Sequence, residues 1–278
     1  MSVEIVTSNV ILIQSPGKHD NKRLSGIAAK TCTTPDSFAE ILDANTDYEE
    51  TLKRVLAYGH MSVTEFDFWV FGIEGVSRTL THQLVRKRLA NYAQESMRYT
   101  SQGGTYKIVV PESLEGKTSV IKELPVDYLL GSCHDQLKEI GFTTINLCLS
   151  LEDLARIAHE WYEGMQEQDV PNEDARFGLL EASKTKILVG MNTHALLDFF
   201  GERTCNCAQW EIRSVAAKML RLAKEVDPVG METAGPKCHR THFCVESKQK
   251  WVTCKYSTHI SEVKHLIKHG AHKQQEGE

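Results

Sequence analysis

The hydrophobic pattern changes character along this chain, and that change most limits the fold. Residues 3–14 (Val-Glu-Ile-Val-Thr-Ser-Asn-Val-Ile-Leu-Ile-Gln) are rich in β-branched side chains and predict a strand. Glu65–Ile73 sets aromatic and β-branched residues at strand spacing, with Gly75 as the predicted stop. Met97–Ser101 and Tyr106–Val110 predict short strands on either side of Gly103-Gly104. Helices are predicted over 21–32, 36–43 and 48–58, the last ended by Gly59, and from a Ser77 cap to about Leu89. Beyond Pro125 helical spacing takes over. It predicts one or two long helices in Cys133–Met165, a loop at Asp169–Asp174, and helices over Ala175–Leu197 and Gln209–Glu225. Strands early and helices late favour an α+β fold over an alternating, parallel βαβ sheet.

With 278 residues, 41% of them hydrophobic, the chain can bury one large domain. The expected organisation is a single catalytic domain over 1–268, with a Cys/His-rich segment at 230–256. A polar, disordered tail is expected at 269–278. No apolar run approaches a membrane span, and the start carries no secretory signal. The eight cysteines are too sparse for a small-domain disulfide framework. They read as mostly reduced thiols, with a cytoplasmic location expected.

Residues 86–99 (Arg-Lys-Arg-Leu-Ala-Asn-Tyr-Ala-Gln-Glu-Ser-Met-Arg-Tyr) reverse the sign of a chain whose net charge is −5. Clustered arginines are most often a solvated face or a nucleic-acid patch. Here apolar residues interleave the charges, and a pI of about 6.2 argues against a general nucleic-acid binder. The guanidinium fork matches phosphate and carboxylate, so the segment points to a pocket for an anionic, phosphorylated small molecule. Gln83, Arg86 and Lys87 share a helix face at this spacing. His60 is suited to a flat ring or a phosphate, or equally to a helix end. Arg203 falls in a polar break between predicted helices, with Asn192 and His194 one helix earlier. Arg176 follows an acidic loop, as a cap partner or a ligand clamp.

Taken in order, these segments resemble the flavin-dependent, or alternative, thymidylate synthases. The family hallmark is Arg-His-Arg, seven residues, then Ser; here it stands as Arg86-Lys87-Arg88, then Ser96, continuing to Arg98-Tyr99. The family's Gly-His-x-Ser-Val-x-Glu box matches Gly59 to Glu65. Its Ser-Arg-x-x-x-x-Gln lead-in matches Ser77-Arg78 and Gln83, and Ala-Gln-Trp-Glu-Ile-Arg is intact at 208–213. Gly-Pro-x-Cys follows at Gly235–Cys238. The resemblance covers most of residues 20–245.

The resemblance implies a homotetramer of the thymidylate synthase-complementing type fold, a central mostly antiparallel sheet flanked by long helices, with active sites between subunits. It implies methylation of dUMP at C5 to dTMP, with FAD as cofactor and NADPH and a methylenetetrahydrofolate as cosubstrates. It implies no membrane or nucleic-acid partner, and no cysteine nucleophile; residues 33–132 contain no cysteine. By position, Gln83, Arg86, Gln94, Ser96, Met97, Arg98, Arg176 and Arg203 are expected to face dUMP. Arg203 is expected to stabilise negative charge on the ring, and Ser96 to position the pyrimidine. His60, Arg86, Lys87, Arg88, Gln94, Asn192 and His194 are expected to face FAD.

Some letters depart from the family. Lys87 replaces the motif's middle His, Phe66 replaces a His after the box, Cys207 stands for His or Arg, and His194 for Arg. Most fall on the flavin side. They leave open a related flavin-dependent C5 methyl- or hydroxymethyltransferase for another pyrimidine nucleotide. A different class, a nucleotide- or RNA-binding protein using the arginine patch, is the non-enzymatic alternative. No metal is expected. Cys238, His242, Cys244 and Cys254 offer zinc-type ligands, but their spacing is not that of a standard finger.

Overall fold

The computed structural model describes residues 2–19, 22–43, 48–126, 132–141, 143–249, 254 and 257–261. In chain order these form β1 (Val3–Ile5), β2 (Asn9–Gln14), β3 (Lys18–His19), β4 (Lys22–Arg23), α1 (Leu24–Thr31), α2 (Phe38–Asp43), α3 (Tyr48–Ala57), β5 (Phe68–Ser77) and α4 (Arg78–Leu84). There follow β6 (Ala90–Gln94), β7 (Tyr106–Ile108), β8 (Thr118–Pro125), α5 (Ser132–Glu139), β9 (Thr144–Ser150), α6 (Leu151–Gln166), α7 (Asn172–Ala175), β10 (Lys184–Asn192), α8 (Thr193–Arg203), α9 (Trp210–Val226) and α10 (Lys237–Thr241). Short 3-10 helices cover Met61–Phe66, Glu112–Leu114 and Arg176–Gly178. The fold is α+β, as expected. The expected tail at 269–278 lies outside the described residues.

The chain divides into two compact units, one of Met1–Thr7, Gly75–Thr79 and Glu95–Thr185, the other of Ser8–Glu74, Leu80–Gln94 and Lys186–Glu278. In the second, the sheet order is β2-β5-β10-β6, with the β2–β5 and β6–β10 pairs antiparallel. Along β5, Trp69, Phe71 and Ile73 are buried while the residues between them are more exposed, the period-two pattern of a one-faced strand. The Trp69 indole nitrogen donates to Thr193 Oγ1 at 2.7 Å, so its one polar atom is satisfied within the core. Helix α9 packs on β2 and α8 through Ile212, Val215, Ala216, Met219 and Ala223, spaced at three to four residues. Gln209 caps it, its side-chain oxygen accepting from the Glu211 and Ile212 amides.

A buried ionic knot lies in the same unit. Arg23 Nε donates to Asp67 Oδ2 at 2.5 Å, and Arg23 Nη1 meets Asp227 Oδ1 at 2.7 Å. Asp67 Oδ1 also accepts the Ser25 amide, and Asp227 Oδ1 the Gly230 amide. The knot ties the start of α1 to the entry of β5 and to the turn after α9.

In the first unit β1 pairs in parallel with β7, and β8 with β9 antiparallel. Tyr106, Ile108, Val110 and Ala155 form a core cluster. Ser150 and Asp153 form a capping box at the start of α6. On α6, His159 stacks on Tyr106 at 4.9 Å, and its Nε2 pairs with the Gln102 carbonyl at 2.7 Å.

Several local expectations are corrected. The predicted 3–14 strand is two strands, β1 and β2. Gly75 does not end β5; with φ of 66° it lets the strand continue to Ser77. The helix after Ser77 stops at Leu84, because the chain turns back at Leu89 (φ 60°) into β6. Met97–Ser101 is a turn closed by the Tyr99 and Thr100 amides on the Ser96 carbonyl. The largest errors lie in the second half. Cys133–Met165 is interrupted by β9, whose Thr144 to Ser150 stretch pairs with β8. Ala175–Leu197 holds β10, where Thr185, Ile187, Val189 and Met191 are buried in alternation. A short apolar run does not by itself separate strand from buried helix.

Candidate active site

The basic segment is held from two sides within the second unit. The Tyr92 hydroxyl meets both the Leu84 carbonyl at 2.8 Å and the Lys87 carbonyl at 3.0 Å, closing the turn between α4 and β6. The Lys87 ammonium is bound by Asp198 of α8. Arg86 and Arg88 are exposed, and among the described residues neither has an ion-pair partner. The turn therefore presents two free guanidiniums and turns the cation between them inward. Gln94 Nε2 donates to Thr81 Oγ1 at 3.1 Å, which joins β6 to α4.

The electrostatics follow this geometry. Burial pushes the Tyr92 phenol up to about 12, against the opposing charge of Arg203. Arg203 thus lies within electrostatic reach of the turn. Burial works upward on the Asp198 carboxyl. The hydrogen bond and charge of Lys87, with the charges of Lys237 and Arg240, hold it below the ordinary value nonetheless.

Other expected residues of this unit are placed as follows. Asn192 caps α8, its Oδ1 accepting the Ala195 amide at 2.8 Å. His194 Nδ1 pairs with Glu65 Oε1 at 2.9 Å. His60 is exposed between Gly59 and the 3-10 helix. A cavity of about 530 Å³ is lined by Gly59, Met61, His194, Gly230, Thr233 and Arg240. Arg203 lines a different cavity, of about 240 Å³. Gln83 is half-buried on α4.

In the first unit Arg98 and Arg176 both meet Glu173, one at its carboxylate and the other at its backbone carbonyl, and Ser96 lies beside Arg98. Ser96 Oγ accepts the Arg98 amide at 3.3 Å. Arg98 Nε donates to Glu173 Oε2 at 2.7 Å, and Arg176 Nε to the Glu173 carbonyl at 3.0 Å. The Arg98 guanidinium also lies 5.6 Å from the centre of the Tyr99 ring. Met97 is buried, so its side chain anchors the turn and does not face an open pocket.

Sequence reasoning missed Tyr92, Asp198 and Glu173. Each acts across a turn or between elements, so no local spacing marks its partner; Glu65, the partner of His194, stands in the Gly-His box and is marked by that motif. Among the described residues, no group of three or more His, Cys, Asp or Glu is arranged to hold a metal ion. His242 lines a separate cavity with Cys238, His239 and Ser257. Among the described residues no helix is long and apolar enough to cross a membrane.

An α+β chain with clustered, exposed arginines is the kind of protein that handles anionic substrates. A family model described as thymidylate synthase complementing protein matches residues 12–229. The flavin-dependent thymidylate synthase of Geobacter sulfurreducens is 37% identical over 223 residues, 79% of this chain and 84% of that relative. The protein of the same name from Pyrococcus furiosus is 40% identical over 216 residues, 76% of this chain and 78% of the relative. That from Nitratidesulfovibrio vulgaris is 36% identical over 219 residues, 77% and 80% respectively. The chain belongs to the thymidylate synthase complementing protein family and is an enzyme of the type these relatives represent.

Proposed function

We propose that this chain makes dTMP by FAD-dependent reductive methylation of dUMP at C5, with methylenetetrahydrofolate as carbon donor and NADPH as reductant. The observation that carries this reading is the pinned basic turn. Arg86 and Arg88 project two guanidiniums with no ion-pair partner among the described residues, from a turn closed by Tyr92 and clamped by Asp198. That donor set fits the phosphates of a dinucleotide. FAD, when bound, supplies the electron-transfer chemistry.

The chain's own residues bind and orient. Arg86 and Arg88 hold phosphate oxygens, and Lys87 keeps the turn in place through Asp198. His60 and His194, with the Asn192-capped start of α8, serve the flavin side. Gln83 and Gln94 offer amide edges to uracil. Ser96 positions the nucleotide, while Arg98 and Arg176 neutralise its phosphate. Arg203 stabilises the negative charge that develops on the pyrimidine ring. The single catalytic domain over 1–268, the homotetramer with active sites between subunits and the cytoplasmic location belong to the same proposal.

The test has two parts. Purified protein is expected to be yellow, with flavin absorbance, and to oxidise NADPH only when dUMP and methylenetetrahydrofolate are both present. Mass analysis of the nucleotide should show one added methyl group. Colourless protein that cannot be reconstituted with FAD would overturn the flavin reading. A hydroxymethyl product, or turnover with UMP or dCMP alone, would overturn the substrate assignment.

A further inference from the structure

The cavity of about 530 Å³ in the second unit is larger than the one beside Arg203, and dUMP and FAD binding as proposed use only one residue of its lining, His194. One wall is α3. Leu52 and Val55 bury a face of that helix in a core cluster with Ala29 and Val63. Lys53, Leu56 and Ala57, at i, i+3 and i+4, line the cavity from another face. Gly59, in the left-handed region at φ 81°, turns the chain so that Met61 joins the same wall. Val229, Gly230, Glu232 and Thr233 form a second wall, and α10 adds Arg240. The second wall is fixed from behind. A Cβ on Gly230 would lie 2.3 Å from Asp227 Oδ2 and 3.0 Å from Arg23 Nη2, so a side chain there would displace the buried Arg23–Asp227 pair.

The lining combines three kinds of group. Lys53 and Arg240 are exposed cations without an ion-pair partner among the described residues, although the Arg240 charge also helps to lower the Asp198 carboxyl. Leu56, Met61 and Val229 are partly buried apolar side chains, and Glu232 is an exposed carboxylate. A ligand that satisfies all of them carries anionic groups, an apolar body and an N–H donor. A phosphate meets the two cations but is repelled by Glu232. The p-aminobenzoyl-glutamate portion of a folate has every part: carboxylates, a benzene ring and an amide N–H. We propose that this cavity holds that portion of the methylenetetrahydrofolate carbon donor. Lys53 and Arg240 bind its carboxylates, Leu56, Met61 and Val229 pack against the ring, and Glu232 accepts the amide N–H. The inference rests on the proposed dTMP synthesis, whose assigned residues otherwise serve only dUMP and FAD.

Two further observations fit. His194 lines this cavity and belongs to the proposed flavin side, so a ligand seated here extends toward the flavin. A volume of about 300–1,000 Å³ is the range of sites that enclose small organic ligands. Glu232 also sets a sign that separates this ligand from a plain anion. Removing its carboxylate takes a negative charge away from Lys53 and Arg240, so a phosphate binds more tightly. The p-aminobenzoyl-glutamate group instead loses an acceptor and binds less tightly.

The test is made on the full-length, FAD-loaded protein. p-Aminobenzoyl-glutamate is expected to bind in a calorimetric titration, and Lys53→Gln and Arg240→Gln each to weaken it about tenfold. In turnover the same variants should raise the KM for methylenetetrahydrofolate about tenfold, with kcat and the KM for dUMP as in wild type. Lys224→Gln, at an exposed lysine of α9 outside the cavity, should change neither. Glu232→Ala should weaken p-aminobenzoyl-glutamate as well. No binding to wild type would overturn the inference, as would tighter binding in Glu232→Ala, displacement by equimolar inorganic phosphate, or loss of FAD from the cation variants. Wild type that forms no dTMP overturns the function proposed above. Wild type that forms dTMP, with both cation variants binding and turning over as it does, overturns this assignment alone.

Discussion

Lys87 of the basic turn and Asp198 of α8 form an ion pair in which the ammonium side chain is only 12% exposed and the carboxylate 46%. The family motif resembled here has His at that position. Lysine keeps the positive charge but adds a long stem, and Asp198 supplies an anchor for it. The Lys87 charge is thus paired within the protein, and the proposed site assigns phosphate binding to its neighbours Arg86 and Arg88. Asp198→Asn is expected to cost about 0.5–1 kcal/mol of stability, the range of a half-exposed pair. It should also weaken FAD binding several-fold, read by flavin fluorescence, since Arg86 and Arg88 flank the released lysine. Unchanged affinity would show that the pair does not position the turn.

The same pair predicts a pH dependence. The Asp198 carboxyl sits below its ordinary 3.8 in the folded protein. Its contribution is then fully present above that value and is lost as pH falls through the folded pKa. Melting curves from about pH 6 to about pH 3 should show wild type and Asp198→Asn converging at the acid end. A gap that widens with acid would contradict the sign.

Tyr92→Phe removes the one hydroxyl that serves the Leu84 and Lys87 carbonyls. Loss of such a bond is expected to cost about 1–2 kcal/mol, measured by urea denaturation, with a larger fractional loss in turnover. In wild type the phenol should ionise only near about 12, visible in an ultraviolet titration as a late tyrosinate transition that Tyr92→Phe removes. Ionisation near the ordinary value of 10.0 would mean the hydroxyl is not buried in this turn.

Arg203→Ala is expected to abolish turnover and leave FAD bound. Arg203 lines the smaller cavity and not the one that His194 lines. Full activity in the variant would show that the nucleotide residues are misassigned.

Asp67→Ala breaks the Arg23 knot and leaves a guanidinium buried without its main partner. The expected loss is about 3–5 kcal/mol, read from the unfolding midpoint. A loss below about 1 kcal/mol would show that water or Asp227 compensates.

How much of this was legible in the chain depended on the range of the interaction concerned. Helix α9 was readable because its apolar stripe and the Gln209 cap are local. Gly59 announced the end of α3 for the same reason, since its φ of 81° suits few other residues. Strand β10 was misread as helix, because Lys184–Asn192 is a short apolar run whose partner strands are distant in sequence. At the site, motif order alone marked Arg86, Arg88, Arg98 and Arg203. It gave no hint that Lys87 would turn onto Asp198, or that one tyrosine would hold the turn.

By itself, then, the sequence determined the α+β class, the chemical identity of the cationic site and the order of its motifs. These follow from local periodicity and from the charge that each residue carries wherever it sits. Tertiary structure decided which charges are free and which are paired. It also decided which residues share a cavity, because Lys53 and Arg240 are far apart in sequence and only folding brings them to one lining. Pairing and convergence are contacts between residues far apart in sequence, and no local pattern encodes the distance between them.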